Sequence, residues 1–397
     1  MQDTDILISG AGIAGLVAAA ALDHAGFRVM IVDPASPKAA GQTDLRSTAY
    51  LQPARQLLEN IGLWPALLPH TTPLEALRII DSSGWPPVIS ETRTFSPKDL
   101  GEDSFGWNIP NAVAHSVLLS HLAMQPRIVM KRGVGFAGML TRTSEALVRL
   151  DDGAQVKCRL VVGADGRNSP VRDAAGIEVD TTRYGQKALA FHATHALPHN
   201  CVSTEIYNQG GAFTTVPLPD VDGQPCSAIV WMNDGATAQS LASLPADAFN
   251  AEMSRRACDV LGPMTRRDTV NIWPIISQRA RSLVAERTVL IAEAAHVLPP
   301  IGAQGLNTSL QDAAHLYNLL RNDTAPLGSE GQLQTFERGR HNDIARRTRA
   351  IDLFNRICQS NQPAIQAMRS LGLRAVHDIT PLRKTVMRAG LGTPPAP

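Results

Sequence analysis

Three stretches of glycine and acid carry the chemistry open to this chain. The first reads Asp5-Ile-Leu-Ile-Ser-Gly10-Ala-Gly12-Ile-Ala14-Gly15, followed by a helix and then Phe27-Arg-Val-Met-Ile-Val-Asp33. Gly10, Gly12 and Gly15 have the G-x-G-x-x-G spacing of a strand-to-helix turn. The first glycine permits the tight turn. The second, beside Ala14, lets the backbone approach a pyrophosphate, and the third lets the helix pack close on the strand. The helix that opens at Ile13 offers unpaired N–H groups and a positive dipole end to phosphate. Asp33 ends the second strand about 20 residues on, where an acid accepts a ribose 2′-hydroxyl; an acid there disfavours a 2′-phosphate. Alone, such a turn occurs in other α/β proteins. With strand, helix and acid in agreement, it argues for a bound dinucleotide.

The second stretch is Val161-Val-Gly163-Ala-Asp165-Gly166-Arg167-Asn-Ser169-Pro-Val-Arg172. Asp165 can accept from a ribose or ribityl hydroxyl, and Arg167 or Arg172 can meet phosphate. Taken by itself it reads equally as an Asp-Gly turn with an ordinary helix cap. The third runs from Val289 through Glu293, His296, Pro299-Pro300 and Gly302-Ala-Gln304-Gly305-Leu306-Asn307 to Asp312. It places an acid just after a strand, then a rigid double proline, then a glycine-rich turn opening a helix. The free N–H groups there suit a second anionic or polar group of the same ligand, or a ring on which negative charge develops. His296, a lone histidine after a strand, reads as structural.

The elements that must position these residues follow from periodicity. Apolar runs at Ile6–Ile8, Val29–Val32, Leu160–Ala164 and Val289–Ala292 suit buried parallel strands. Helical patterning is expected over Ala49–Ile61, Val113–Leu122, Val171–Ala175 and Gly305–Leu320. Two hairpins are expected. One lies between Leu77 and Ser90 around Ser-Ser-Gly84, with Pro86-Pro87 on an edge. The other joins Ala146–Leu150 to Ala154–Val156 through Asp-Asp-Gly153. From about Tyr184 to Trp273 alternating segments (Ala188–Thr194, Val202–Tyr207, Phe213–Pro217, Ser227–Met232) predict an antiparallel sheet interrupted by one helix near Ala246–Leu261. The last stretch reads as helical, with Phe336, Ile344, Ile351, Phe354 and Ile357 as candidate buried positions. The expected fold is therefore α/β: a discontinuous, Rossmann-like nucleotide domain with a parallel sheet (1–75, 101–180 and 278–325), an inserted, mainly antiparallel substrate domain (76–100 and 181–277), and a C-terminal basic helical region (326–397).

Bulk properties exclude several classes. A chain of 397 residues, 44% hydrophobic and 18% charged, is ordinary for a globular protein with a large core. Its apolar runs fall short of the ~20 residues a membrane span needs. The first strand begins almost at Met1, so neither signal nor transit peptide is expected, and a cytoplasmic location is. The five cysteines are scattered without metal-ligand spacing, so no metal is expected. From Arg338 onward eleven Lys and Arg face only Asp343, Asp352 and Asp378, leaving eight positive charges in excess. Such a tail suits anionic lipid headgroups, an acidic protein partner of a biosynthetic complex, or merely a solvated helical face. Nothing resembles a nucleic-acid module.

In this order and at this separation the three stretches resemble the single-component FAD-dependent aromatic hydroxylases. The first is similar to their ADP-binding fingerprint and the second to their Asp-Gly motif. The third is similar to their Gly-Asp-Ala-Ala-His…Pro…Gly-x-x-Gly-x-Asn region. The similarity runs from the N-terminus to about residue 320. Ala303-Gln304-Gly305-x-Asn307…Asp312 and the tail Thr380–Gly390 most resemble the ubiquinone-biosynthesis hydroxylases.

The resemblance implies that Gly10, Gly12, Ala14, Gly15 and Asp33 hold the ADP half of FAD, with Arg46 near the pyrophosphate and Asn111 touching the cofactor. It puts Asp165 by the flavin and the nicotinamide approach, and Glu293 in place of the aspartate that binds the ribityl chain. Gly302, Gln304, Gly305, Leu306 and Asn307 would cradle the isoalloxazine ring. Pro300 would turn its carbonyl to the substrate hydroxyl, as the one residue in a catalytic position. The chain departs from the pattern at Ala292-Glu293 (usually Gly-Asp), at Pro299 (often His), and at Ala303 and Ser309 (usually Gly).

The implied activity is hydroxylation of a (poly)prenylated phenol in ubiquinone biosynthesis, with NAD(P)H as a transient reductant and O₂ used through a flavin hydroperoxide. The cofactor carries that chemistry, and the protein supplies positioning and dryness. A lipid-soluble substrate would give the basic tail a docking role at a membrane, and an oligomer is possible. Three alternatives stand beside it. They are a hydroxylase of a small soluble phenol, an isoprenoid reductase of the same fold, and an accessory FAD protein weakened by Ala292-Glu293.

Overall fold

The computed structural model describes residues 1–36 and 44–392. The loop after Asp33 (expected over Pro34–Gln42) and the Pro-rich end fall largely outside them. The short apolar runs form a six-stranded sheet, in the order Val284–Ala285, Thr288–Leu290, Leu160–Gly163, Ile6–Ser9, Val29–Asp33, Ile128–Arg132. All but the first pair in parallel. The helices Ile13–His24, Asn111–Leu122 and Gln304–Asn322 share one continuous core with it. Strand order reverses between Ile6–Ser9 and Leu160–Gly163. In open α/β sheets ligands bind in the crevice at such a switch, outside the carboxyl ends of the strands. The first two motifs begin there, at Gly10 and Ala164.

A nine-stranded, mainly antiparallel sheet stands beside this unit. Its strands include the hairpin Ala76–Ser83/Val88–Phe95, then Val179–His195, Val202–Asn208, Gly211–Val221, Gln224–Asp234 and Asn271–Ala280. The hairpin joins through a parallel pairing of Ala76–Ser83 with Val202–Asn208. One face packs on helices over Phe191, Phe213, Trp231 and Phe249. The short strand His296–Val297 pairs with Asn271–Ala280, so the third motif itself joins this sheet to the nucleotide unit.

Local differences from the periodicity have physical causes. Ala49–Ile61 is not one helix: Ser47–Leu51 pairs with Gly106–Pro110 as a strand, and the helix is Gln52–Asn60, with proline in its first turn. The helix expected near Ala246–Leu261 is present as Ala246–Arg256, and a second, unforeseen helix, Gly235–Ala242, precedes it. Pro245 disfavours helical geometry at the residue before it, and Asp234 caps Gly235–Ala242 by accepting from Ala236 and Thr237. Phe336 and Ile344 are buried as expected; Phe354 is partly exposed and stands edge-on to Tyr207 instead.

One buried carboxylate ties the C-terminal half together. Asp312, on Gln304–Asn322, accepts the Ala292 N–H at 3.0 Å, His296 Nε2 at 2.7 Å and Arg340 Nε at 2.8 Å. Burial pushes the carboxyl up, but the charges of His296 and Arg340 outweigh it and hold Asp312 below the usual carboxylate range. Arg340 also meets Asp343 and the Thr308 carbonyl, fastening the long helix Glu330–Gln359. An acid depressed on folding contributes stability above its unfolded pKa, and that stability is lost as pH falls through the folded value. Asp312→Ala, which strands a buried guanidinium, is expected to lower unfolding free energy by about 3–5 kcal/mol. Urea midpoints measured downward from pH 6 should fall for the wild type below about pH 4 and fall less steeply for Asp312→Asn.

Candidate functional site

The three glycines of the first motif do the three separate jobs their spacing implies. Gly10 has φ +106°, and a Cβ on it would stand 2.3 Å from the Ala164 carbonyl oxygen; a Cβ on Gly15 would stand 2.1 Å from the Gly10 oxygen. These two are required by the protein's own packing. A Cβ on Gly12 would meet nothing within 4 Å, so that glycine faces open space at the helix entrance. Asp33 curls back on the turn: its Oδ2 accepts the Ala11 N–H at 2.6 Å and its Oδ1 the Ala35 N–H at 2.8 Å.

Asp165 lies across the crevice. Its Oδ2 accepts from the Ser9 hydroxyl and the Val171 N–H, while Oδ1 is buried with no hydrogen-bond partner. Burial raises its pKa despite those donors. A buried acceptor left open beside a glycine turn is a place for a ligand hydroxyl. Arg172 turns away from the crevice, donating to the Arg167 and Ala294 carbonyls.

Gly10, Gly12, Ala14, Gly15, Asp33, Arg46, Asn111, Asp165, Glu293, Pro300, Gly302, Gln304, Gly305 and Leu306 all line one cavity of about 2760 Å³. Within it the expected roles differ in how free the side chains are. Arg46 makes a two-point pair with Asp44 (2.8 and 2.9 Å) and lies over the Trp273 ring. Asn111 is held by Thr48 and Asp44. Gln304 donates to the Gly302 and Gly390 carbonyls and accepts from Arg347, tying the glycine turn to the C-terminal helices. Glu293 stands 3.7 Å from Arg167. Asn307 departs from expectation: it is buried outside the cavity lining. Its Oδ1 accepts the Leu51 N–H and its Nδ2 donates to the Ala49 and Ala303 carbonyls. It positions the turn and does not reach the ligand space.

Two of the usual glycines replaced in this chain fall where backbone geometry favours glycine, while Ser309 lies within the helix Gln304–Asn322. Ala292 has φ +56° and Ala303 φ +54°, the latter following Gly302 at +59°. An alanine in that region costs roughly 1–2 kcal/mol.

Several lining residues were not foreseen. Ser203, Glu205 and Tyr207 project from the large sheet, and Ile365, Arg369, Leu373, Val376 and Met387 from the helices Pro363–Asp378 and Thr380–Leu391. The strand alternation over Val202–Tyr207 did put Ser203, Glu205 and Tyr207 on one face, but not which face meets a cavity. The C-terminal helices are clipped to the hairpin by Arg369–Asp81, Arg374–Glu91, Arg383–Asp99 and Arg93–Asp378. With Arg340 paired to Asp312, four acids from outside the tail (Asp81, Glu91, Asp99 and Asp312) offset four of its eight excess charges; Arg347 and Arg356 pair with Asp343 and Asp352 of the tail itself.

A family model described as FAD binding domain matches residues 3–350. The chain is 30% identical to the ubiquinone hydroxylase UbiL of Rhodospirillum rubrum over 98% of its length and 90% of the relative. It is 25% identical to the 3-demethoxyubiquinol 3-hydroxylase of Escherichia coli, over 98% and 99%. Among solved structures, p-nitrophenol 4-monooxygenase PnpA from Pseudomonas putida superposes over all of both chains with a TM-score of 0.80 at 17% identity. The chain belongs to the FAD-binding family of aromatic monooxygenases, and its cofactor is FAD.

Two substitution pairs test the geometry. Gly12→Val should purify with little FAD and melt like the wild type stripped of FAD, whereas Gly15→Val should melt earlier than that stripped protein because its side chain meets backbone. Ala303→Gly should raise unfolding free energy by roughly 0.5–1 kcal/mol, the relief of the left-handed alanine less the entropy of glycine, and Ala292→Gly likewise. Absorbance at flavin wavelengths and thermal melts read both pairs.

Proposed function

We propose that this chain hydroxylates the aromatic ring of a polyprenylated phenol in ubiquinone synthesis, with FAD stretched along the crevice and NAD(P)H as the reductant. The observation that carries the reading is the continuity of one cavity from Gly12 and Asp33, past Asp165 and Glu293, to an apolar chamber. That chamber is walled by Ile79, Phe95 and Val216 of the sheet and by Leu373, Val376 and Met387 of the C-terminal helices. FAD, once reduced, supplies an activated oxygen atom for transfer to the ring.

The residues at hand fit that cofactor. The N–H groups opening Ile13–His24, above the bare Gly12, would take the pyrophosphate, and Asp33 the adenosine ribose. The open oxygen of Asp165 and the carboxylate of Glu293 would take hydroxyls of the ribityl chain. Gly302, Gly305 and Leu306 would border the flavin ring, and Pro300 would stand where that ring meets substrate. Burial of the chamber excludes water from the reacting atoms. Names of the relatives support the substrate class: the R. rubrum and E. coli proteins are hydroxylases of ubiquinone or its precursors.

Delivery of so apolar a substrate is supported by exposed apolar side chains on the same helices. Leu371 is 62% exposed, with Ile379 and Leu382 exposed beside it, while Met368 and Val386 are exposed and also line the cavity. No helix among the described residues is long and apolar enough to cross a membrane. The reading is therefore contact with a bilayer surface through apolar side chains, with half of the tail's excess positive charge already met by acids elsewhere in the fold.

Purified holoenzyme given NAD(P)H and a prenylated phenol should take up O₂ and yield product heavier by one oxygen atom; NAD(P)H oxidation without oxygen incorporation would defeat the reading. In vesicle flotation with anionic lipid, Leu371→Asp/Ile379→Asp, at two exposed positions off the cavity lining, should lose binding by an order of magnitude or more while keeping its FAD.

A further inference from the structure

Five acidic side chains are buried among the described residues, namely Asp23, Asp81, Glu91, Glu205 and Asp312. Four are matched by arginine: Asp23 by Arg127, Asp81 by Arg369, Glu91 by Arg374 and Asp312 by Arg340. Glu205 is the exception, with no cation within ion-pair distance in the described structure. It sits mid-sheet on Val202–Asn208, opposite Thr214 on one side and Ile79 on the other, and its side chain lines the cavity. Its carboxylate accepts from the Tyr207 hydroxyl on the same strand. The Gly302 amide favours its charged form, and both residues line the same cavity, so the acid faces the glycine turn placed above at the flavin ring.

The fold has no use for an unpaired acid in this position. Burying a charge without a partner is costly, and a glutamine would fill the same space and keep a hydrogen bond to Tyr207. Burial pushes the Glu205 carboxyl up from its ordinary value, against the effects of the Tyr207 hydroxyl and the Gly302 amide. An unpaired acid of that kind, in a cleft and at the junction of substrate and cofactor, marks a proton-transfer group. The titratable and charged groups around the pair are few: Cys358 of the long helix, and the Arg369–Asp81 ion pair.

We infer that Glu205 is the catalytic base of the ring hydroxylation, taking the proton of the substrate's phenolic hydroxyl, with Tyr207 as the residue that positions it. This rests on the hydroxylase reading above and names the group that activates the ring. The phenol O–H bond breaks, the proton passes to a Glu205 carboxylate oxygen, and the bonding pair stays on the phenol oxygen. That raises electron density at the ortho and para carbons, where the oxygen atom is to be accepted. As aromaticity returns after transfer, the ring carbon that accepted oxygen releases its hydrogen as a proton to solvent, and Glu205 gives its own proton back to the phenol oxygen. A neutral carboxylic acid or an amide at this position cannot take the proton.

The test uses holoenzyme with two phenols. Titration with 4-nitrophenol reads binding directly, because its phenolate is coloured and the neutral phenol nearly colourless. Beside the Glu205 carboxylate the bound probe should stay neutral, and in Glu205→Gln its phenolate absorbance should appear at a pH at least one unit lower than in the wild type, with FAD content and melting temperature unchanged. With a prenylated phenol, hydroxylation by Glu205→Gln should fall by about 10²–10⁴ in kcat. Glu205→Asp should recover part of that loss, and Tyr207→Phe should shift the pH profile with a smaller loss. Equal phenolate spectra in wild type and Glu205→Gln, or turnover of Glu205→Gln within threefold of wild type, would each overturn the assignment. A wild type that incorporates no oxygen into any phenol would instead defeat the hydroxylase reading itself.

Discussion

A single buried carboxylate holds the working half of this molecule in register. Asp312 gathers the amide of a strained turn, an imidazole four residues on and a guanidinium of the long helix, joining two other segments to its own. These partners more than offset its desolvation, which is the condition under which a buried charge can be retained. Because Ala292 opens the turn that carries Glu293, and Arg340 anchors the helix leading to the cavity wall, the position of both sides of the ligand space follows from one oxygen pair.

What could be read in advance divides along range. The glycine turn, the ribose-side acid, the parallel strands and the tight hairpins depend on a few consecutive residues and on backbone sterics, so their spacing predicts them. The reversal of strand order that brings Gly10 beside Ala164 is not legible there, because separated strand-turn segments leave the order of the strands open. Contacts that depend on distant partners were hidden. The arginines of the tail looked like a surface field, because nothing local tells that Asp81, Glu91, Asp99 and Asp312 lie waiting for them. Asn307 looked like a ligand contact and is instead a brace between two backbone segments. Glu205 was visible as an acid within an alternating strand, yet its significance comes only from the absence of a counter-ion in three dimensions.

The replaced glycines deserve a physical reading of their own. At residues 292 and 303 the chain keeps a left-handed backbone while carrying a methyl group, so the geometry is imposed by its surroundings and not by local preference. The Asp312 cluster imposes it at the first; the Asn307 brace, which accepts no alternative path for the 303 carbonyl, imposes it at the second. Strain of this sort gathers where a backbone must present its amides in a set direction.

The cavity draws on residues from Ser9 to Gly392, nearly the entire chain. Its last wall is the final pair of helices, held by side chains to a hairpin made some three hundred residues earlier. During synthesis the nucleotide crevice can therefore form first and stand open to water. The apolar chamber gains that wall only once residues 363–391 have been made and have docked on the hairpin, so a chain stopped before them would leave the crevice open on that side.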